Sequence, residues 1–355
     1  MGKLAVYRLG YFLSIVFTFL FLGLAVIAHF AGHIHPETSM FSAYLSLGKP
    51  IVVALNAVMF LYWLCRRKCW AFVSIIGVAA CYNYITAVWQ PFNLYKSAEG
   101  KELKILTYNT HSFGREVTGY SAKEFAGIVQ DKGIDILCFQ EYGGSGDFTN
   151  EDLYETYSAI LPYTYLPQGH SMAIYSRYPI LESDVIDFEG TNNCAIWTDI
   201  DVEGKNIRVF NVHMQTTSFD RMRSKAAQAR AAANEEGERQ IYLNFNDNLE
   251  SNMIERAKQA DMVQEMVKTT KHPTILCGDL NDTPGTYTYE TLKGDMKDGF
   301  QTGGKGFAWS YRGLYNLLRI DYIFHSSQMK GLEYESMDYE MSDHNPVMMK
   351  LCLEK

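Results

Sequence analysis

The stretch Thr274-Ile275-Leu276-Cys277-Gly278-Asp279-Leu280-Asn281-Asp282 decides how this chain is read. A short apolar strand, Thr274–Cys277, gives way within two residues to a run holding two carboxylates and an amide. A dry core accepts such groups only when they are paired. The same break recurs along the sequence. Strand-like Leu103–Tyr108 runs into Asn109-Thr110-His111, and the near-continuous apolar run Ile134–Phe139 into Gln140-Glu141. Ile207–Val212 ends at His213, and Arg319-Ile320-Asp321-Tyr322 repeats the pattern in milder form. Met341-Ser342-Asp343-His344-Asn345-Pro346 stands just before a last strand, Val347–Leu353. Singly, each group has a plain explanation: Asn109, Asn281 and Asp282 as turn formers, Glu141 as a surface residue, His213 as a hydrogen-bonded core histidine. Six such ends argue jointly, because a sheet sets neighbouring strand ends side by side and convergent polar groups there form a site.

Between these ends the pattern is mixed. Ser121 is positioned to N-cap a helix to about Asp131, with Gly133 as its stop. Strands are expected at Met172–Tyr175, Ala195–Val202 and Ile207–Val212, the last two joined by the turn Glu203-Gly204-Lys205-Asn206. Phe219–Lys268 is charged and alanine-rich and reads as two helices with a polar break near Asn244–Asn248. Hairpins and crossovers together predict an α/β sandwich with helices covering two packed sheets.

The first hundred residues are of another kind. They carry seven basic side chains and two acidic ones, which leaves 25 basic and 38 acidic residues in 101–355, a formal charge near −13. Tyr11–Ala31 has no charged side chain and is long enough for a hydrocarbon core of about 30 Å. Ile51–Cys65 and Trp70–Trp89 are two further apolar runs. A cleaved signal peptide is the competing reading of the first run, but its length and the two runs that follow favour an anchor over 1–95, with spans at about 9–31, 43–65 and 70–90. Lys3 and Arg8 before the first span, and Arg66-Arg67-Lys68 between the second and third, belong on the cytoplasmic side. A linker at 96–102 and a soluble domain over 103–355 would then lie outside the cytoplasm, in or near a lipid bilayer. Cys138, Cys194, Cys277 and Cys352 pull the other way, since unpaired thiols are unusual in an oxidising compartment.

The spellings T-Y-N, F-Q-E, N-V-H, G-D-L-N-D, R-I-D-Y and S-D-H, in this order, resemble the endonuclease/exonuclease/phosphatase superfamily over about 103–353. The resemblance implies a four-layered α/β sandwich with two packed mixed sheets and a metal-dependent phosphoesterase activity. It implies a Mg²⁺ or Mn²⁺ held by Glu141 with Asn109 and Asp343 beside it, which suits ions that prefer oxygen ligands. Asp279 then corresponds to the carboxylate that orients or deprotonates the attacking water, and Asn281 to an amide on a phosphate oxygen. His344 corresponds to the histidine beside the scissile phosphate with Asp321 as its partner, and His213 to a second phosphate-facing or leaving-group histidine.

The substrate stays open between a small or lipid-headgroup phosphate ester and nucleic acid. The acidic charge disfavours the latter, because extended nucleic-acid contact needs a basic footprint. A catalytically dead binding module is disfavoured by the intact set of polar residues. Arg221, Arg223, Arg230 and Arg256 could reach a phosphate, although solvated helix faces explain them more simply. Aromatic Tyr311–Tyr315 could line a groove or pack locally.

Overall fold

Burial on both faces explains why so many strands of the C-terminal part read as unbroken apolar runs rather than alternating ones. A computed structural model describes residues 2–93, 97–217, 219–232 and 235–354. Leu94, Tyr95 and Lys96, at the expected junction of anchor and linker, lie outside the described residues, as do the side chains of Arg221 and Arg223. The chain divides into two compact units, Met1–Ala87 with Pro284–Glu290, and Val88–Thr283 with Thr291–Lys355.

In the second unit, twelve strands form two sheets of six. They are β1 (Gly100–Asn109), β2 (Ile136–Gln140), β3 (Tyr163–Tyr165), β4 (Met172–Ser176), β5 (Ile180–Asp187) and β6 (Cys194–Val202). They continue as β7 (Lys205–His213), β8 (Thr274–Asp279), β9 (Lys297–Asp298), β10 (Asp321–His325), β11 (Met329–Ser336) and β12 (Val347–Glu354). One sheet runs β11-β12-β1-β2-β4-β3 and the other β9-β10-β8-β7-β6-β5. Both are mixed: β1 pairs with β2 and β7 with β8 in parallel, each requiring a crossover, and the other pairs are antiparallel. Ile105, Ile136, Cys138 and Ile174 of the first sheet share one buried cluster with Ile196, Val209, Ile275 and Cys277 of the second. Alternate residues of β1 and β2, among them Leu106, Tyr108, Leu137 and Phe139, face the opposite way into a cluster completed by Phe125 and Val129 of the helix Tyr120–Lys132.

Several expectations move. Asp321, placed at a strand end by the Arg319-Ile320-Asp321-Tyr322 pattern, opens the strand Asp321–His325, and β1 already starts at Gly100, inside the expected linker. β3, β5 and β11 had no counterpart in the sequence reading. The helix placed after Ser121 begins at Tyr120 behind Gly119 (φ 78°), so Ser121 is not its N-cap, whereas Gly133 (φ 61°) does end it. Phe219–Lys268 holds two helices, Phe219–Ala231 and Glu235–Thr269, and the second runs unbroken through Asn244–Asn248.

Among the described residues, the first unit contains one helix, Lys3–Ala31, long and apolar enough to cross a membrane. The other two expected spans are bent pairs, Met40–Leu47 with Lys49–Cys65 (60°) and Trp70–Ala80 with Tyr82–Val88 (61°). Trp89 and Gln90, expected inside the third span, instead pair as a short strand with Gly306–Phe307. Small and polar residues hold these helices together: Trp63 Nε1 donates to Thr18 Oγ1 at 2.7 Å and Asn56 Nδ2 to the Phe21 carbonyl at 3.0 Å. A Cβ on Gly77 would lie 2.0 Å from Asn56 Oδ1, so only glycine permits that approach. Buried Lys49 donates to the Gly285 carbonyl at 2.5 Å.

Candidate active site

The register of three neighbouring strands brings three of the strand-end groups level. Asp279 at the end of β8 is directly opposite His213 of β7 and Asp321 of β10. In the other sheet, Asn109 ends β1 opposite Gln140, and Glu141 follows as the first residue beyond β2. The polar ends of both sheets therefore meet at one mouth, and the sequence-predicted residues meet with them.

Asp279 Oδ2 is the centre of the arrangement. Asn109 Nδ2 lies 3.0 Å from it and Asn281 Nδ2 3.2 Å, with His344 Nε2 at 3.7 Å and His213 Nε2 at 3.8 Å. His344 Nδ1 is 2.9 Å from Asp321 Oδ2. Ser310 Oγ accepts from the backbone N–H groups of Ile320 and Asp321, and Ser342 Oγ donates to the Asn109 carbonyl, so both neighbours of the pair are fixed. Burial raises the Asp279 carboxyl to about 6; His344 and His213 oppose that rise and Asp321 adds to it. Burial draws the His344 imidazole down, but Asp321 and Asp279 outweigh it and lift it to about 10. Asp279, Asp321 and His344 also offer donor atoms that all lie within 4.8 Å of one another.

A second, more open cluster adjoins this one. Glu141 Oε1 accepts from Asn109 Nδ2 at 3.2 Å and lies 3.7 Å from His213 Nε2. Its Oε2 is 3.2 Å from His111 Nδ1, which in turn is 3.8 Å from Asp343 Oδ1. Burial would raise the Glu141 carboxyl, yet His111, His213 and Asn109 outweigh it and hold it down at about 2. Glu141 therefore stays ionised across the working pH range. His213 Nε2 is buried and makes no hydrogen bond among the described residues, and it faces both Glu141 and Asp279.

Asn281 turns the chain rather than extending the strand that ends at Asp279. Its φ is 50°, and it reaches Asp279 by folding back, with its backbone N–H on Asp279 Oδ1 at 2.8 Å. Glu141 (φ 47°) and His111 (φ 46°) share this left-handed conformation, which costs about 1–3 kcal/mol each and persists where surroundings over-determine it. Asp282 lies aside, its carboxylate 3.5 Å from Arg256 Nε. Arg256 is buried rather than on a solvated face, and it donates to the Gln215 carbonyl and Thr217 Oγ1, both at 3.0 Å. Arg230 pairs with Glu238 on an exposed helix. Tyr311 sets its ring edge-on to His344 at 5.2 Å, whereas Tyr315 is exposed.

Two groups escaped the sequence reading. His111 stands two residues after Asn109 and reads in sequence as one more strand end; its left-handed backbone (φ 46°) is what accompanies its approach to Glu141. Gln140 and Asn211 tie the two sheets beneath the mouth: Gln140 Nε2 donates to Asn211 Oδ1 at 2.5 Å, and Asn211 Nδ2 donates to the Phe139 and Ala173 carbonyls. Their signal was a buried amide inside a run of strand apolars.

A family model described as the Endonuclease/Exonuclease/phosphatase family matches residues 106–344, and one described as a domain of unknown function matches residues 9–88. An endonuclease/exonuclease/phosphatase family protein from Bacteroides thetaiotaomicron is 18% identical over 72% of this chain and 99% of its own, with a TM-score of 0.51. A mannosyl-6-phosphatase from the same species is 18% identical over 70% of this chain and 99% of its own, TM-score 0.50. A family protein from Leptotrichia buccalis is 19% identical over the same shares, TM-score 0.50. No curated protein matches. At such identities the likeness to these structures is one of fold.

Proposed function

Because the chain belongs to the Endonuclease/Exonuclease/phosphatase family, whose members are divalent-metal-dependent phosphoric ester hydrolases, we propose that it hydrolyses a small or lipid-headgroup phosphate ester by water attack. The observation that carries this reading is the set of four nitrogen groups from four separate motifs gathered 3.0–3.8 Å around the single oxygen Asp279 Oδ2. Asp279 orients the attacking water and takes its proton, a role that suits a carboxyl raised to about 6 by its dry surroundings. His213 directs its ring nitrogen at the phosphate oxygens, where negative charge grows as the water adds, and Asn281 would join it by exchanging its present bond to Asp279 for one to substrate. His344, held protonated by Asp321, stabilises that charge from the buried side.

We assign the divalent ion, Mg²⁺ or Mn²⁺, to Glu141, Asp343 and Asn109 rather than to the trio Asp279, Asp321 and His344. The trio is buried and already occupied with its own hydrogen bond, while Glu141 and Asp343 are half-exposed and leave room for waters and substrate. His111 lies against both carboxylates as a cation would, which fits the donor set to a positive ion. When bound, the ion supplies charge neutralisation at the substrate oxygens.

The N-terminal unit we read as an anchor of three spans over 1–95, with the soluble domain, 103–355, outside the cytoplasm. The uncharged run Tyr11–Ala31 within the helix Lys3–Ala31, and the basic groups at Lys3, Arg8 and Arg66–Lys68, support it. A nuclease is the second reading, and the acidic charge of the soluble part weighs against it. The experiment is turnover by the full chain in detergent with Mg²⁺, on bis-p-nitrophenyl phosphate, sugar phosphates, lipid phosphoesters and plasmid DNA. Hydrolysis confined to DNA would overturn the substrate reading, and full turnover in EDTA the mechanism. Reporters fused at Lys68 and after Gly100 should report opposite sides of the membrane, and the same side for both would end the topology.

A further inference from the structure

We propose that His111 is itself a ligand of the divalent ion, and that its nitrogen makes this centre prefer Mn²⁺ to Mg²⁺. The inference rests on the assignment of the ion to the Glu141–Asp343 cluster made above. His111 Nδ1 stands 3.2 Å from Glu141 Oε2 and 3.8 Å from Asp343 Oδ1. Adjacent ligands of one octahedral ion, each bonded at about 2.1 Å, are about 3 Å apart, so the ring nitrogen and the Glu141 oxygen are already spaced as neighbours around a shared ion.

The backbone holds the ring there. Thr110 N–H donates to the Gln140 carbonyl and Ser112 N–H to the Glu141 carbonyl, both at 2.9 Å, and Thr110 Oγ1 donates to the Glu141 carbonyl as well. His111 is thus bracketed by residues bonded to the same segment that carries Glu141, and the two backbones are held side by side.

Asn109 supplies the second argument. Its Oδ1 accepts from the His111 backbone N–H at 3.1 Å, while its Nδ2 faces Glu141 Oε1 and Asp279 Oδ2. A donor on one side and two acceptors on the other fix the orientation of the amide without ambiguity. In this arrangement Asn109 turns its hydrogens to the cluster, so serving beside Glu141 and Asp343 as assigned above requires its amide to rotate, whereas the His111 ring already presents a nitrogen beside both carboxylates. Mg²⁺ takes oxygen ligands and sheds water reluctantly, whereas imidazole suits first-row transition ions. A centre in which an imidazole joins the oxygen ligands should discriminate accordingly.

The same geometry could instead make His111 a counter-ion that competes with metal, and the two roles differ in sign. The test is calorimetric titration of the full chain in detergent with MnCl₂ and MgCl₂, for wild type, His111→Ala, His111→Asp and Glu141→Ala. It is paired with pulsed electron paramagnetic resonance of bound Mn²⁺ to detect nitrogen coupling. We expect His111→Ala to weaken Mn²⁺ by at least the roughly tenfold that loss of even an outer partner costs, and to weaken Mg²⁺ much less. His111→Asp should retain binding with the preference shifted toward Mg²⁺, and nitrogen coupling should be present in wild type and gone in both His111 variants. Unchanged or tighter Mn²⁺ binding by His111→Ala, or nitrogen coupling that survives it, overturns the proposal while leaving the metal assignment intact. Glu141→Ala binding both ions as wild type does would overturn the assignment itself, and this proposal with it.

Discussion

The two halves of the site differ first in their access to water. Asp279, Asp321 and His344 leave at most 6% of any side chain exposed, while His111, Glu141 and Asp343 leave 33–43%. In the dry half, charges are felt strongly and move protonation by several pH units, as Asp279 at about 6 and His344 at about 10 illustrate. In the open half, an ion and its waters can come and go. Proton handling and charge delivery are separated by burial, within reach of one carboxylate oxygen.

The largest effect should come from the centre of the dry half. Asp279→Ala should cut kcat by about 10²–10⁴, some 3–5 kcal/mol of barrier, at saturating metal. Melting temperature measured on the same preparation separates this from unfolding; a folded variant with wild-type kcat would remove Asp279 from the chemistry. Next comes Asp321→Ala, which should slow turnover by less. Combined with His344→Ala it should lose less than the product of the single losses, because the pair acts as a unit. Fully multiplicative losses would separate the two residues.

In the open half the loss should be recoverable. Glu141→Gln should raise the metal concentration for half-maximal activity, while excess metal restores most of kcat. Failure of any metal concentration to restore activity would mean that the two halves are not separable as described. The smallest effect is on stability. With its folded pKa raised to about 10 above the ordinary 6.5, His344 binds its proton more tightly folded than unfolded. Its contribution is therefore complete below about pH 6.5 and disappears as pH rises through about 10. Asp321→Asn should lower the melting temperature more at pH 6 than at pH 10, and an equal loss at both would contradict the charge pairing.

What could be read from sequence followed a physical rule. Asp279, Asn281, His213 and Asp321 stand out because polar groups interrupt apolar strands, and the neighbouring strands β7, β8 and β10 of one sheet set them side by side. Asn244–Asn248 misled because asparagine is a weak helix former. In the helix the run is supported by neighbours one turn away, as where Gln240 Nε2 donates to Asn244 Oδ1 at 2.8 Å. His111 was overlooked because its position depends on a left-handed turn that spacing alone does not reveal. The bends at Gly48 and Cys81 were likewise hidden inside runs that are apolar throughout. Arg256 was misjudged because an arginine on a helix looks solvated until its partners, here distant in sequence, are known.

The amide tie beneath the mouth has a consequence for how such a groove can change. Gln140 and Asn211 join the sheets at 2.5 Å, in a place no substrate reaches. Replacing either alone leaves its partner's polar group unmet in a dry interior, a penalty of about 1–3 kcal/mol. Replacing both with apolar groups would also take a donor from Thr107 Oγ1 and from the Phe139 and Ala173 carbonyls. The separation of the two catalytic walls is thus set by a small buried amide network, and a change that widens or narrows the groove there has to satisfy every member of it again.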